Sequence, residues 1–144
     1  MKKVFILFSA LTLGFFTSCS DDDSEDSPEN SLMGSWQLTA EFENGETYEL
    51  DNCDLEETII FKSDGIYDLI DYNPVDGNEN ECAIDEDGLE SGEWSLPSSG
   101  KILIVTDSDE NVLEYSISGN ELTITAVDEY EGETDVNKYV YVRK

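Results

Sequence analysis

The sequence predicts an all-β domain: an up-and-down antiparallel meander of about eight to nine strands, closed into a barrel. Three observations predict it. From Leu32 onward, short runs rich in Ile, Val, Thr, Tyr and Phe alternate with turn residues, at the spacing of about 8–12 residues that marks sandwiches and barrels. No part of that stretch keeps a helical period. A sheet of so many strands also leaves two exposed edges unless its last strand pairs with its first.

The chain begins with something other than this domain. Lys2 and Lys3 form a positive start, and Val4 to Phe16 is an apolar run. That run falls short of the roughly 20 apolar residues that a bilayer span needs, so residues 1–18 read as a secretory leader. Phe16-Thr17-Ser18-Cys19 resembles a bacterial lipobox, with Phe16 where leucine is usual. In that motif the Cys19 thiol takes a diacylglycerol and its freed amine is acylated, giving lasting membrane attachment. Residues 19–31 then read as an acidic, solvated tether, with five acids between Asp21 and Asp26. A Ser-acidic run directly after a lipid cysteine is similar to the surface-export signal of Bacteroidetes lipoproteins. That resemblance implies the outer leaflet of the outer membrane; a plain spacer on the periplasmic face is the alternative.

The barrel domain is expected over residues 32–144. Trp36, Leu38, Ala40 and Phe42 alternate with Ser35, Gln37, Thr39 and Glu41, the period-2 pattern of a half-buried strand. Asn44-Gly45 is a type I′ hairpin signal, after which Tyr48 to Leu50 can pair back. Thr58 to Phe61 turns at Ser63-Asp64-Gly65 into Ile66 to Tyr72. Glu90 to Leu96 turns at Pro97 to Gly100 into Lys101 to Thr106. Asp107 to Asn111 turns into Val112 to Ser118, and Gly119-Asn120 into Glu121 to Val127. Lys138 to Arg143 closes the meander. Asn73 to Gly88 is a long polar loop, which in a compact domain is either disordered or tied down. With Cys19 assigned to lipid, Cys53 and Cys82 remain as an even pair, which outside the cytoplasm reads as a disulfide. Two soft metal ligands are the rival reading, but no further Cys or His completes a site.

Composition narrows the function. The 144 residues carry 35 Asp and Glu, seven Lys and Arg, no His, and a net charge of −28. Removing Lys2 and Lys3 with the leader takes the charge to −30. So acidic a surface repels phosphate backbones, which argues against nucleic acid as a partner. Without His there is no Ser–His or Cys–His nucleophile pair. No carboxylate pair stands out by spacing as a glycosidase dyad. Asp107, Asp109 and Asn111 begin like a calcium loop, but Val112 replaces the required glycine and Ser118 the final glutamate. There is no phosphate loop and no Gly-x-Ser-x-Gly elbow. The chain therefore reads as a binding protein, not an enzyme, with no cofactor and no metal.

Several residues carry a resemblance. Gly34-Ser35-Trp36 opens the first strand, and a basic residue stands on the last. These features resemble the lipocalin and fatty-acid-binding group. More closely, the chain is similar to the lipocalin-like domain of Bacteroidetes envelope lipoproteins, in the order GSWQLT, TIIFKSDGIY, SGEWSL, ISGNELTIT and KYVYVRK. The resemblance implies that Trp36 plugs the closed end of the barrel under a basic side chain. Arg143, the only arginine, is the candidate; Lys138 is the weaker one. Tyr139, Tyr141 and Arg143 alternate and share a face. A Tyr-x-Arg clamp for a ligand carboxylate is one reading of them; plain packing is the other.

The expected ligand is small and apolar or mixed, taken at the open end. The candidate lining is Leu38, Phe61, Ile70, Trp94, Leu103, Tyr115, Ile124, Tyr139 and Tyr141. Each of these, taken singly, is more often a core filler than a cavity wall in a barrel of eight strands. A filled barrel that instead meets a protein or glycan partner is the alternative function.

Overall fold

The computed structural model describes residues 27–144 apart from Gly77, Ser108 and Glu131. The leader, the Cys19 acylation site and the acids from Asp21 to Asp26 lie outside the described residues. A short helix, α1 (Pro28–Leu32), precedes strands β1 (Gly34–Glu43), β2 (Glu46–Tyr48), β3 (Thr58–Phe61) and β4 (Ile66–Ile70). Then come β5 (Tyr72–Val75), β6 (Asn78–Ile84), β7 (Glu90–Ser98) and β8 (Lys101–Thr106). The last are β9 (Asp109–Ser118), β10 (Glu121–Tyr130) and β11 (Glu133–Arg143).

β1, β3, β4, β7, β8, β9, β10 and β11 form an antiparallel ring, with β2 as an extra strand on β1. β11 pairs back onto β1, from Trp36 opposite Arg143 to Glu43 opposite Asn137. Closure leaves these eight strands without a free edge. One end, the base, holds α1, the β3–β4, β7–β8 and β9–β10 turns, and the chain from Arg143 to Lys144. The other end, the mouth, holds the β1–β2 turn, the 49–57 loop, the 71–90 excursion and the β8–β9 and β10–β11 turns.

The core fills the lower part of the barrel. Trp36, Leu38, Ile59, Phe61, Tyr67, Trp94, Ile102, Leu122, Ile124 and Tyr141 are buried together, with Leu32 of α1 beneath them. Phe61 meets Trp94 edge-on, with ring centres 5.4 Å apart, and the Trp94 indole donates to the Lys62 carbonyl at 3.1 Å.

Two expectations need correction. The simple alternation along β1 breaks at Thr39. Leu38 pairs with Tyr141 but Ala40 pairs with Val140, so Thr39 is an extra residue in the ladder. A bulge of this kind flips every later side chain to the other face. Phe42 is therefore outside, under Lys138 Nζ at 3.9 Å, and Glu41 turns inward opposite Tyr139. The tether is also shorter than expected. Ser27 caps α1 by accepting from the Asn30 amide at 3.2 Å, and Leu32 is fully buried. Residues 28–31 thus belong to the folded domain, because the carbonyls of this turn bind barrel side chains.

The long polar segment is ordered as the β5–β6 hairpin. It is fastened by a Cys53–Cys82 disulfide across a separation of 29 residues, a closure worth roughly 3–4 kcal/mol on loop entropy.

Candidate functional site

The base is a seal built from one arginine. The Arg143 guanidinium lies over the Trp36 ring, 4.1 Å from its centre. Its Nη1 donates to the Met33 carbonyl at 2.8 Å and its Nη2 to the Ser31 carbonyl. The Trp36 indole N–H donates to the Leu32 carbonyl at 2.7 Å. Three carbonyls at the C-terminal end of α1, which have no partner within so short a helix, are thus satisfied by two barrel side chains. Gly34 completes the arrangement. It sits at φ +121°, and a Cβ there would stand 2.9 Å from Arg143 Nη1. The structure brings Gly34, Trp36 and Arg143 together, and keeps Lys138 away from Trp36 on the outer wall.

Above the core, the barrel interior turns polar. Glu41, Leu69, Glu90, Ile104, Thr106, Leu113, Ala126 and Tyr139 follow the inward alternation of their strands yet are not buried, and Glu57, just before β3, is likewise only half-buried. The buried Tyr141 hydroxyl donates to Glu57 at 2.9 Å. The Tyr67 hydroxyl donates to Glu90 and lies 2.6 Å from the Thr106 hydroxyl. Burial raises the Glu57 carboxyl from 4.5 to about 7, helped by the charges of Asp71, Glu41 and Asp54 and opposed by the Tyr141 hydrogen bond. Burial, then the bond to Glu90, pushes Tyr67 up to about 12. Burial, then Glu57, raises Tyr141 well above its ordinary value.

No cation enters this space among the described residues. Lys62 pairs with Asp68 and Lys101 with Glu114. Lys138 covers Phe42, Arg143 seals the base, and Lys144 donates to the Thr58 hydroxyl at 3.3 Å.

A pH dependence follows. A carboxyl whose folded pKa exceeds its unfolded one contributes stability that is complete below the unfolded value and lost as pH rises through the folded one. For Glu57 that window runs from 4.5 to about 7. Glu57→Gln should therefore lose less stability than the parent between about pH 5 and about pH 8 in urea titrations. Equal losses in the two proteins would contradict this account.

The candidate lining residues separate into three groups. Leu38, Phe61, Trp94, Ile124 and Tyr141 are core. Tyr115 and Tyr139 are half-buried against that core. Ile70 and Leu103 are on the outer face and are corrected. Ile70 shares its face with Asp68, which pairs with Lys62 outside, while Tyr67 and Leu69 point in. Leu103 pairs with Ser95 and the exposed Val112, whereas its neighbours Ile102 and Ile104 join the core. Arg143 is spent at the base, so the carboxylate-clamp reading of Tyr139, Tyr141 and Arg143 has no cation to offer.

Glu41, Glu57, Tyr67 and Glu90 were not singled out from the sequence. Parity held the signal for three of them: Glu57 alternates with Phe61, Glu90 alternates with Trp94, and Tyr67 pairs with Phe61 across the turn. Glu41 needed the bulge.

No curated protein sequence matches the chain. Solved structures do. A possum milk whey lipocalin, trichosurin, solved at pH 4.6 with bound 4-ethylphenol, is 9% identical, with 78% of this chain and 75% of that one covered and a TM-score of 0.44. A bovine odorant-binding protein, as a deswapped triple mutant, is 16% identical, with coverage of 79% and 74% and a TM-score of 0.44. The family model described as a lipocalin-like domain matches residues 32–142, and the chain belongs to that family.

Proposed function

We propose that this domain is a non-catalytic binding module that takes a small apolar or mixed ligand through the barrel mouth. One contrast carries the reading: inward side chains near the base are sealed, whereas Leu69, Ile104, Leu113, Ala126 and Tyr139 face inward and remain partly open to solvent. Covering such walls contributes ~25 cal/mol per Å² before ordering costs. The polar groups around them are carboxylates and hydroxyls, so they favour a ligand end that donates hydrogen bonds. An alcohol or amine suits Glu57 and Glu90; a carboxylate finds no partner there.

The cellular address is part of the proposal. The leader, the lipobox-like Phe16 to Cys19 and the acidic run after it support acylation at Cys19. They also support attachment to the outer membrane, at the cell surface or on its periplasmic face. The Cys53–Cys82 bridge suits an oxidising compartment.

Native mass spectrometry of the delipidated protein from its own cells tests the ligand directly; a co-purifying small molecule is expected. Displacement of a fluorescent naphthylamine supplies the chemistry. Dodecanol and dodecylamine should displace it and dodecanoate should not, and Ala126→Trp should abolish binding without lowering the melting temperature. Failure of all three alkyl ligands and of the probe would remove the binding role.

A second reading has its own support. The clefts of about 490 and 420 Å³ beside α1 lie at the base, outside the barrel interior. Leu103 and the exposed Val112 also pair on the outer wall, as do the exposed Val127 and Val136. These favour a protein or glycan partner on the outer surface.

A further inference from the structure

We infer that the domain stands on the membrane by its base, with the mouth directed away from the lipid. The inference rests on the proposed acylation of Cys19 and adds an orientation to it.

Two independent observations carry it. The first is where the chain enters the domain. Ser27 and α1 are at the base, locked there by Arg143 and Trp36. Seven residues separate Cys19 from Ser27, a reach of about 28 Å even when fully extended. The barrel itself is roughly 25 Å tall, for ten-residue strands tilted as barrels require. Such a reach barely spans the barrel, so bringing the mouth to the bilayer would need the tether fully drawn out along the wall.

The second is the charge along the barrel axis. Among the described side chains, the mouth segments, residues 43–57, 71–90, 106–110 and 128–135, carry 21 acids and no Lys or Arg. The base segments, residues 27–33, 62–65, 97–101, 118–121 and 143–144, carry Glu29, Asp64 and Glu121 against Lys62, Lys101, Arg143 and Lys144. Phosphate-bearing headgroups repel the first set and tolerate the second. The repulsion acts within a Debye length of about 8–10 Å, so it counts only for the end that faces the lipid. Tether and charge select the same end.

The arrangement leaves the candidate binding mouth open to the medium. It also places the clefts beside α1 against the headgroups.

The test uses the acylated protein reconstituted in vesicles of phosphatidylethanolamine and phosphatidylglycerol that contain an acceptor-labelled lipid. A fluorescent amino acid is placed at Ser99, in the base turn, or at Glu133, beside the mouth turn; both positions are exposed. Energy transfer from Ser99 should exceed that from Glu133 several-fold. Equal transfer, or the reverse order, in protein that floats with the vesicles overturns the orientation and leaves the anchoring intact. Protein that does not float overturns the anchoring and the orientation with it. Unchanged melting temperatures confirm that the labels leave the fold in place.

Discussion

Arg143→Met is expected to destabilise the domain by about 3–5 kcal/mol, among the largest effects a single substitution can have here. The change removes a guanidinium over an indole, a contact worth ~0.5–2 kcal/mol. It also strips two charged donors from the carbonyls of Ser31 and Met33, and each such bond contributes about 1.5–3 kcal/mol. Leu32 and Trp36, both fully buried, would lose the lid that excludes water from them. The melting temperature should fall by roughly 10–25 °C for a domain of this size. Arg143→Lys should recover only part of the loss, because a single ammonium cannot cover the ring and reach two carbonyls together. Amide exchange adds a local readout: α1 should lose protection before the β8–β9–β10 wall does. If Arg143→Met unfolds in urea at the parent midpoint, the base is sealed by packing alone.

The seal was legible in the sequence for a simple reason. A lone arginine on the last strand and a Gly-x-Trp on the first can meet only if the strands close. The mouth was less legible, and the failures have particular causes. Ile102-Leu103-Ile104-Val105 is apolar at every position, so alternation cannot say which two face inward; the ladder with β7 and β9 decides it. In Ile66 to Ile70, Asp68 was the marker of the outer face and should have carried Ile70 with it. The Thr39 bulge is invisible to periodicity, because one extra residue leaves both halves of the strand alternating correctly. What it changes is their relation, and this is how Glu41 reaches the interior. The concentration of acid at the mouth is likewise hidden in a linear reading. The mouth segments are scattered along the sequence, and only the meander gathers them at one end.

Gly92→Ala should rival the arginine change, although it adds a single methyl group. Gly92 faces Tyr67 across β4 and β7. A Cβ there would stand 2.2 Å from the Val105 carbonyl oxygen and 2.7 Å from Tyr67 Cε1. The first obstacle is backbone of the paired strand, so no rotamer relieves it. The second is the ring of a residue that is 2% exposed and whose hydroxyl is held by Glu90. The tyrosine covers the gap that the glycine leaves in the strand, so each residue requires the other. Overpacking of this kind costs about 3 kcal/mol or more when the neighbours cannot move. Gly119→Ala supplies the comparison. That glycine has a φ of +61°, but nothing lies within 4 Å of its added Cβ, so only backbone strain of roughly 1 kcal/mol opposes it. Urea midpoints for the two variants should therefore differ by at least twofold in lost stability. Removing the ring in a Tyr67→Ala, Gly92→Ala double variant should not restore the parent, because the Val105 carbonyl remains in the way. A Gly92→Ala protein as stable as Gly119→Ala would mean that β7 and β8 part easily here. The interior above Tyr67 would then be a gap that opens and closes, rather than a wall of fixed shape.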